Sequence, residues 1–202
     1  MSVAFFAVPT RTMEDTVLSG DWLFVRRHGA RGPGRGDVIV FRYPVDPNET
    51  FLQRVVGLPG DRIRIASKQL HVNGRKLDEP YATHKSIHLD SYRDNFPDDP
   101  NVPLAPQGAE MLSEHVSNGE VEIPPNRYFV LGDNRDSSWD SRYWALCRVK
   151  TSSGNPGSCT GQLSPRSHLL VNQAWAGLLS PESVGDAFLH LSATIPFDER
   201  RR

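Results

Sequence analysis

A chain of 202 residues is one ordinary domain, or one domain with a loosely packed tail, and is long enough to bury a sizeable core. Lys and Arg number 23 against 24 Asp and Glu, a formal net charge of -1, so there is no broad basic field to neutralise a phosphate backbone, and nucleic acid is not an expected partner. With 16 Gly, 16 Pro and an aromatic content of 9%, the composition favours many turns between short strands over long helices.

The first apolar run is Val3, Ala4, Phe5, Phe6, Ala7 and Val8. It is far below the roughly 20 residues that crossing a hydrocarbon core demands, and it has neither a basic flank nor a cleavage site. Residues 1–8 read as a short apolar stub: a buried first strand, with a membrane-surface anchor or the stub of a longer segment as the alternatives. The chain as written is expected not to span a membrane.

Residues 21–77 carry an all-β signature, with strands expected over 22–25, 37–42, 51–56, 62–65 and 69–72. Gly29, Gly32, Pro33, Gly34 and Gly36 separate the first pair, and Leu58-Pro59-Gly60-Asp61 makes a tight turn. His71-Val72-Asn73-Gly74-Arg75-Lys76 reads as a hairpin, because Asn-Gly supplies both φ > 0 positions of a type I′ turn. Residues 83–107 are polar, with Pro97, Pro100, Pro103 and Pro106 removing donors at close intervals, and are expected to form a surface excursion. One or two helical turns are expected over 110–115, then strands at 121–123 and 128–131 around Pro124-Pro125-Asn126. Residues 151–158 have linker composition. The apolar residues beyond them hold no period for long, although Leu178-Leu179 and Phe188-Leu189 suit short helices, so residues 151–202 are expected to pack poorly.

Cys147 and Cys159 stand twelve apart with no CxxC and no nearby His pair, so no metal site and no cofactor is expected. A disulfide and two thiols both remain open.

Three segments concentrate polar residues in suggestive patterns. The first is Val8-Pro9-Thr10-Arg11-Thr12-Met13-Glu14-Asp15-Thr16-Val17-Leu18, followed by Gly20-Asp21. The second is Phe51-Leu52-Gln53-Arg54-Val55-Val56-Gly57-Leu58-Pro59-Gly60-Asp61. The third is Gly132-Asp133-Asn134-Arg135-Asp136-Ser137-Ser138-Trp139-Asp140-Ser141-Arg142-Tyr143-Trp144. Singly, each has a bland reading: Thr12 with Asp15 suits a helix cap, and residues 57–61 and 132–136 suit turns.

In this order, the three resemble the bacterial type I signal peptidases. Their patterns are Pro-Ser-x-Ser-Met-x-x-Thr-Leu, Lys-Arg-x-x-Gly-x-Pro-Gly-Asp and Gly-Asp-Asn-x-x-x-Ser-x-Asp-Ser-Arg-Tyr-Trp. Arg35-Gly36-Asp37-Val38 adds the family's Arg-Gly-Asp-Val strand. The resemblance covers about residues 8–145 and stops there, since Ala145-Leu146-Cys147-Arg148 replaces the family's Gly-x-Val-Pro continuation. It implies a mostly β fold, a signal-peptidase-like catalytic β domain with short helices and long surface loops. The division expected is a stub over 1–8, a catalytic domain over 9–145 and an off-pattern, poorly packed tail over 146–202.

The resemblance also assigns roles. Members pair a Ser nucleophile with a Lys whose pKa is lowered from about 10.4 by burial, so that the neutral amine takes the hydroxyl proton. Thr12 stands at the nucleophile position and Gln53 at the position of the base. Thr12 keeps a hydroxyl, whereas an amide cannot accept a catalytic proton near neutral pH, and Arg54 beside it stays protonated. Thr10 falls where a hydroxyl helps an oxyanion hole and Ser138 where a Ser orients the Lys. Arg54, Asp133, Asn134, Asp140 and Arg142 match the structural support of the site.

Other chemistries find little footing. There is no Gly-x-Ser-x-Gly elbow, and none of the seven His has a recognisable triad context. Cys159 lies between glycines in linker-like sequence, and no helix-turn-helix pattern suggests a Ser/Lys self-cleaving repressor. Two readings follow from the resemblance. One is a serine-type endopeptidase that removes signal peptides with small residues before the cut, impaired by Thr12 and Gln53. The other is a catalytically silent paralogue that binds peptides. The partners implied are the signal peptides of exported preproteins and a membrane surface. The location implied is the outer face of the cytoplasmic membrane.

Overall fold

Asn73 and Gly74, with φ of 52° and 74°, make the left-handed pair that the hairpin at residues 71–76 requires. The computed structural model describes residues 3–26, 32–148 and 159–162. The strands of its first part are β1 (Val3–Ala7), β2 (Trp22–Arg26), β3 (Val38–Arg42), β4 (Thr50–Gly57), β5 (Arg62–Ala66), β6 (Gln69–Val72) and β7 (Arg75–Lys76). Then come helix α1 (Pro106–His115), strands β8 (Val116–Ser117), β9 (Glu120–Glu122) and β10 (Arg127–Leu131), a 3₁₀ turn at Arg135–Ser137, helix α2 (Ser141–Trp144), β11 (Cys147–Arg148) and β12 (Cys159–Gln162). The fold is mostly β.

Two antiparallel sheets form, a seven-stranded one in the order β1-β2-β12-β3-β4-β10-β11 and a five-stranded one in the order β7-β6-β5-β9-β8. Burial alternates along β5, where Ile63 and Ile65 point inward between exposed Arg62 and Arg64, as one wet face of a sheet demands. Three apolar clusters fill the interior. One joins Ile63, Leu70, Met111, Val121 and Phe129 with Tyr92 and Phe96, and a second joins Ile39, Phe41, Val55, Val130 and Trp144. The third packs Val8, Met13 and Val17 against Leu23, Val40 and Leu52. It therefore pins the 8–18 segment to the sheet at alternate points while Thr10 and Thr12 between them face outward.

The structure differs from expectation in four places. Residues 83–105 have no helix or strand yet are not merely superficial: Tyr92 and Phe96 are fully buried, so aromatic burial anchors the excursion that the prolines break up. The helix expected over 110–115 begins at Pro106, a residue suited to the first helical turn because its missing N–H would have no partner there. The helix cap weighed for Thr12 and Asp15 is absent. Thr12 bonds Thr10 instead, and Asp15 sits at φ 74° in a tight turn. Finally, residues placed in a poorly packed tail enter the sheet: Leu146 and Cys147 are buried, β11 pairs with β10, and β12 lies between β2 and β3. The helices weighed near Leu178 and Phe188, and the Cys159 side chain, lie outside the described residues. No helix among the described residues is long and apolar enough to cross a membrane.

Candidate active site

The segment between β1 and β2 is closed at its base by two backbone bonds, Val8 N–H to the Asp21 oxygen (2.9 Å) and Gly20 N–H to the Val8 oxygen (2.8 Å). Buried Met13 and Val17 fix its inner side, which leaves Thr12 half-buried at the surface with its Oγ1 3.1 Å from that of Thr10. The loop after β10 grips the same segment from behind. Asn134 donates from its backbone N–H to the Thr12 oxygen (3.0 Å) and from Nδ2 to the Arg11 oxygen (3.1 Å). Thr16 Oγ1 donates to Asp133 Oδ2 at 2.5 Å.

Asp133 is also the partner of Arg54 on β4. Arg54 Nε and Nη2 lie 2.8 and 2.6 Å from its two carboxylate oxygens, a bidentate pair with Asp133 fully buried. One carboxylate thus ties together β4, the 8–18 segment and the 132–138 loop. Arg54 Nη1 donates to the Gly36 oxygen at 2.7 Å, and its guanidinium lies 3.9 Å from the Tyr81 ring centre. Burial pushes the Tyr81 phenol well above its usual pKa, so it stays protonated.

Gly132 sits between the two halves of the site. A Cβ there would lie 2.3 Å from Ser138 Oγ and 2.5 Å from the Thr12 carbonyl oxygen, so only glycine lets these groups approach. Its N–H donates to Ser138 Oγ (3.2 Å) and to Asp140 Oδ2 (3.3 Å). Asp140 and Arg142, both buried, form a second bidentate pair at 2.8 and 2.7 Å, and Asp140 caps α2 through the Arg142 N–H. Arg142 Nη2 reaches the Arg135 oxygen at 2.8 Å, while Arg135, also buried, is held by Glu79 at 2.8 and 2.6 Å.

Gln53 is only 1% exposed. Its Nε2 donates to the Trp139 carbonyl oxygen at 2.8 Å, and Oε1 is buried with no hydrogen-bond partner among the described residues. Thr12 therefore gives its proton to no acceptor on Gln53. A buried oxygen without a donor costs about 1–3 kcal/mol, and the group that Gln53 does bond, the Trp139 carbonyl, is an acceptor, which a side chain that only donates would satisfy as well as the amide does.

A cleft of about 340 Å³ runs past these residues, lined by Phe6, Pro9, Thr10, Thr12, Glu49, Thr50, Phe51, Leu52, Gln53 and Trp139. Trp139 is held flat by stacking on Tyr143 at 4.8 Å and by its Nε1 bond to Tyr43 Oη at 2.8 Å. One wall of the cleft is an open backbone edge. Val55 directs both its N–H and its oxygen to the β3 side, so by strand alternation Thr50, Leu52 and Arg54 direct theirs away from β3. β10 pairs with β4 only from Arg54 to Gly57, and among the described residues no strand covers that edge from Thr50 to Gln53.

The structure thus brings Thr10, Thr12 and Gln53 to one cleft. Ser138, Asn134, Arg54 and Asp133 stand immediately behind it, and Asp140 with Arg142 braces the loop. Sequence reading did not single out Thr16, Glu79, Tyr81 or Trp139. Thr16 lies one turn beyond Thr12, a weak cue, whereas Glu79 and Tyr81 sit in unpatterned sequence and come into place only through the fold. No group of His, Cys, Asp or Glu among the described residues is arranged to hold a metal ion.

The family model described as signal peptidase, peptidase S26, matches residues 1–157. Signal peptidase I of Pseudomonas aeruginosa is 35% identical over 163 residues, which covers 69% of this chain and 54% of that protein. Signal peptidase I of Rickettsia akari is 30% identical over 167 residues, covering 68% and 63%. The chain spans about half the length of the former. A crystal structure of a signal peptidase I from Enterococcus faecalis V583 matches with a TM-score of 0.44 and 28% identity, over 66% of this chain and 98% of that one.

Proposed function

This chain belongs to the signal peptidase family, peptidase S26, and we propose that it binds the end of a signal peptide as an extended strand in the cleft and hydrolyses the peptide bond that then lies against Thr12. The observation that carries this reading is the edge of β4 from Thr50 to Gln53, which no strand among the described residues covers. Thr50 and Leu52 offer backbone donors and acceptors along the same cleft that Thr10, Thr12 and Gln53 line, the arrangement that strand addition uses. Thr12 Oγ1 is the attacking atom and Thr10 Oγ1, 3.1 Å away, is the side-chain donor toward the developing oxyanion. Ser138 and Gly132 brace the base position, and Asp133 with Arg54, and Asp140 with Arg142, hold the loop.

Turnover is slow in this reading. The hydroxyl of Thr12 must lose its proton as the tetrahedral intermediate forms, and since the Gln53 amide cannot take it the proton passes to solvent water, a weak base, at the half-buried Thr12. The substrates are signal peptides of exported preproteins with small residues before the cut, and the site of action is the outer face of the cytoplasmic membrane, both carried over from the family. Titration of the isotopically labelled chain with a peptide bearing Ala at the two recognition positions tests the binding mode. Shifts and slowed exchange at the Thr50 and Leu52 amides are expected, and changes confined elsewhere would overturn it.

A further inference from the structure

We infer, on the reading of the cleft just given, that Glu49 is a specificity-determining residue that takes a cationic side chain of the bound peptide about four residues from the scissile bond. Among the described residues, Glu49 is the one charged residue lining a cleft whose other members are apolar, threonine or the Gln53 amide. Its backbone is fixed at the end of the β3–β4 hairpin, with its N–H on the Asp46 oxygen at 3.0 Å and its oxygen accepting from Tyr43 N–H at 2.9 Å. The other carboxylate of that turn is engaged locally, since Asp46 Oδ1 accepts from the backbone and side chain of Asn48 at 3.0 Å each. The spacing follows from strand geometry. Gln53 marks the reacting end of the cleft and Glu49 is four residues away, or about 13 Å along an extended chain. A peptide strand laid on the β4 edge advances at the same rise, so the residue beside Glu49 is about the fourth from the one beside Gln53.

The walls between the two ends suit that side chain. Phe51 and the part-exposed Trp139 ring can cover the methylene stem of Lys or Arg while its charged head reaches Glu49 at the rim.

The test is equilibrium binding of fluorescent peptides to the full chain. Each peptide carries Ala at the two recognition positions, with Lys or Gln in turn at roughly three to five residues on either side of the cut. At one position Lys is expected to bind about two- to fivefold more tightly than Gln, the range of a rim ion pair, with the gain shrinking as salt rises. Glu49→Gln, a change at an exposed residue, should abolish the gain, and Glu49→Lys should turn it into a penalty. Peptides that bind the parent with no preference for Lys, or a preference that survives Glu49→Gln, would overturn the inference and leave the cleft reading standing. Failure of every peptide to bind the parent would overturn the cleft reading and the inference with it.

Discussion

The side-chain nitrogen of Gln53 lies 2.8 Å from the carbonyl oxygen of Trp139, and the indole nitrogen of Trp144 reaches the same oxygen at 3.1 Å. That oxygen is doubly satisfied, so it would lose little if Gln53 withdrew, while the buried Oε1 of Gln53 gains nothing where it is.

Gln53→Met should therefore be neutral or stabilising. The substitution keeps the length of the side chain, deletes an unsatisfied acceptor worth about 1–3 kcal/mol and gives up one hydrogen bond worth about 1 kcal/mol. Urea denaturation measures the balance. A loss above about 1.5 kcal/mol would mean that the Trp139 bond is a principal tie of the site.

Asp133→Ala should be costly. It leaves the Arg54 guanidinium and the Thr16 hydroxyl without their shared partner, and breaking a buried ion pair from one side costs about 3–5 kcal/mol. Thr16→Val should cost only about 1 kcal/mol by the same measurement. Equal, small losses for both would contradict the central place given to Asp133.

Acid should lower the stability of the protein in two steps. Burial, then the charge of Arg135, push His84 below 6.5, outweighing the carboxylate of Asp136. A histidine with a depressed folded pKa lends stability above 6.5 that is lost as pH falls through the folded value. Asp136 is half-buried, which by itself would raise its carboxyl pKa, yet the Ser86 N–H and Lys68 hold it below 3.8. Its stabilisation is present above 3.8 and lost as pH falls through the folded value. The thermal midpoint should decline first below about pH 6.5 and again below about 4, and His84→Gln should remove only the first decline. A flat midpoint from pH 7 to 4 would contradict this assignment.

Truncation after Lys150 removes β12. Val40, opposite Gly161 in the β3–β12 pairing, should then exchange its amide hydrogen faster, and the chain should unfold at lower denaturant. Unchanged exchange at Val40 would show that β12 adds nothing to the sheet.

Much of this was legible in the sequence. The β-strands of the first 77 residues announced themselves by turn chemistry and alternation, the hairpin at Asn73-Gly74 most clearly. An identical Asn-Gly signal at Asn118 and Gly119 joins β8 to β9 and passed unused, whereas Ser67 and Lys68 make a left-handed turn that their residue types do not advertise. The placement of Thr12, Gln53 and Ser138 in one neighbourhood followed from the motif order. What escaped was non-local: the burial of Tyr92 and Phe96 depends on partners far along the chain, and β12 inserts between two strands made more than a hundred residues earlier. Glycine- and serine-rich sequence hides such a strand, because its pairing rests on backbone bonds rather than on an apolar face.

Cleavage of a preprotein with Ala at both recognition positions tests the central claim most directly. The parent, Thr12→Ser, Gln53→Lys and the double variant would be compared at equal concentration. The parent should cut slowly or not at all, and Thr12→Ser alone should change little. Gln53→Lys should raise the rate by about 10²- to 10⁴-fold, the worth of a positioned general base, and the double variant further still. Robust cleavage by the parent that Thr12→Ala abolishes would contradict the claim that position 53 limits turnover, and no gain in the double variant would contradict the placement of the reacting pair at Thr12 and Gln53.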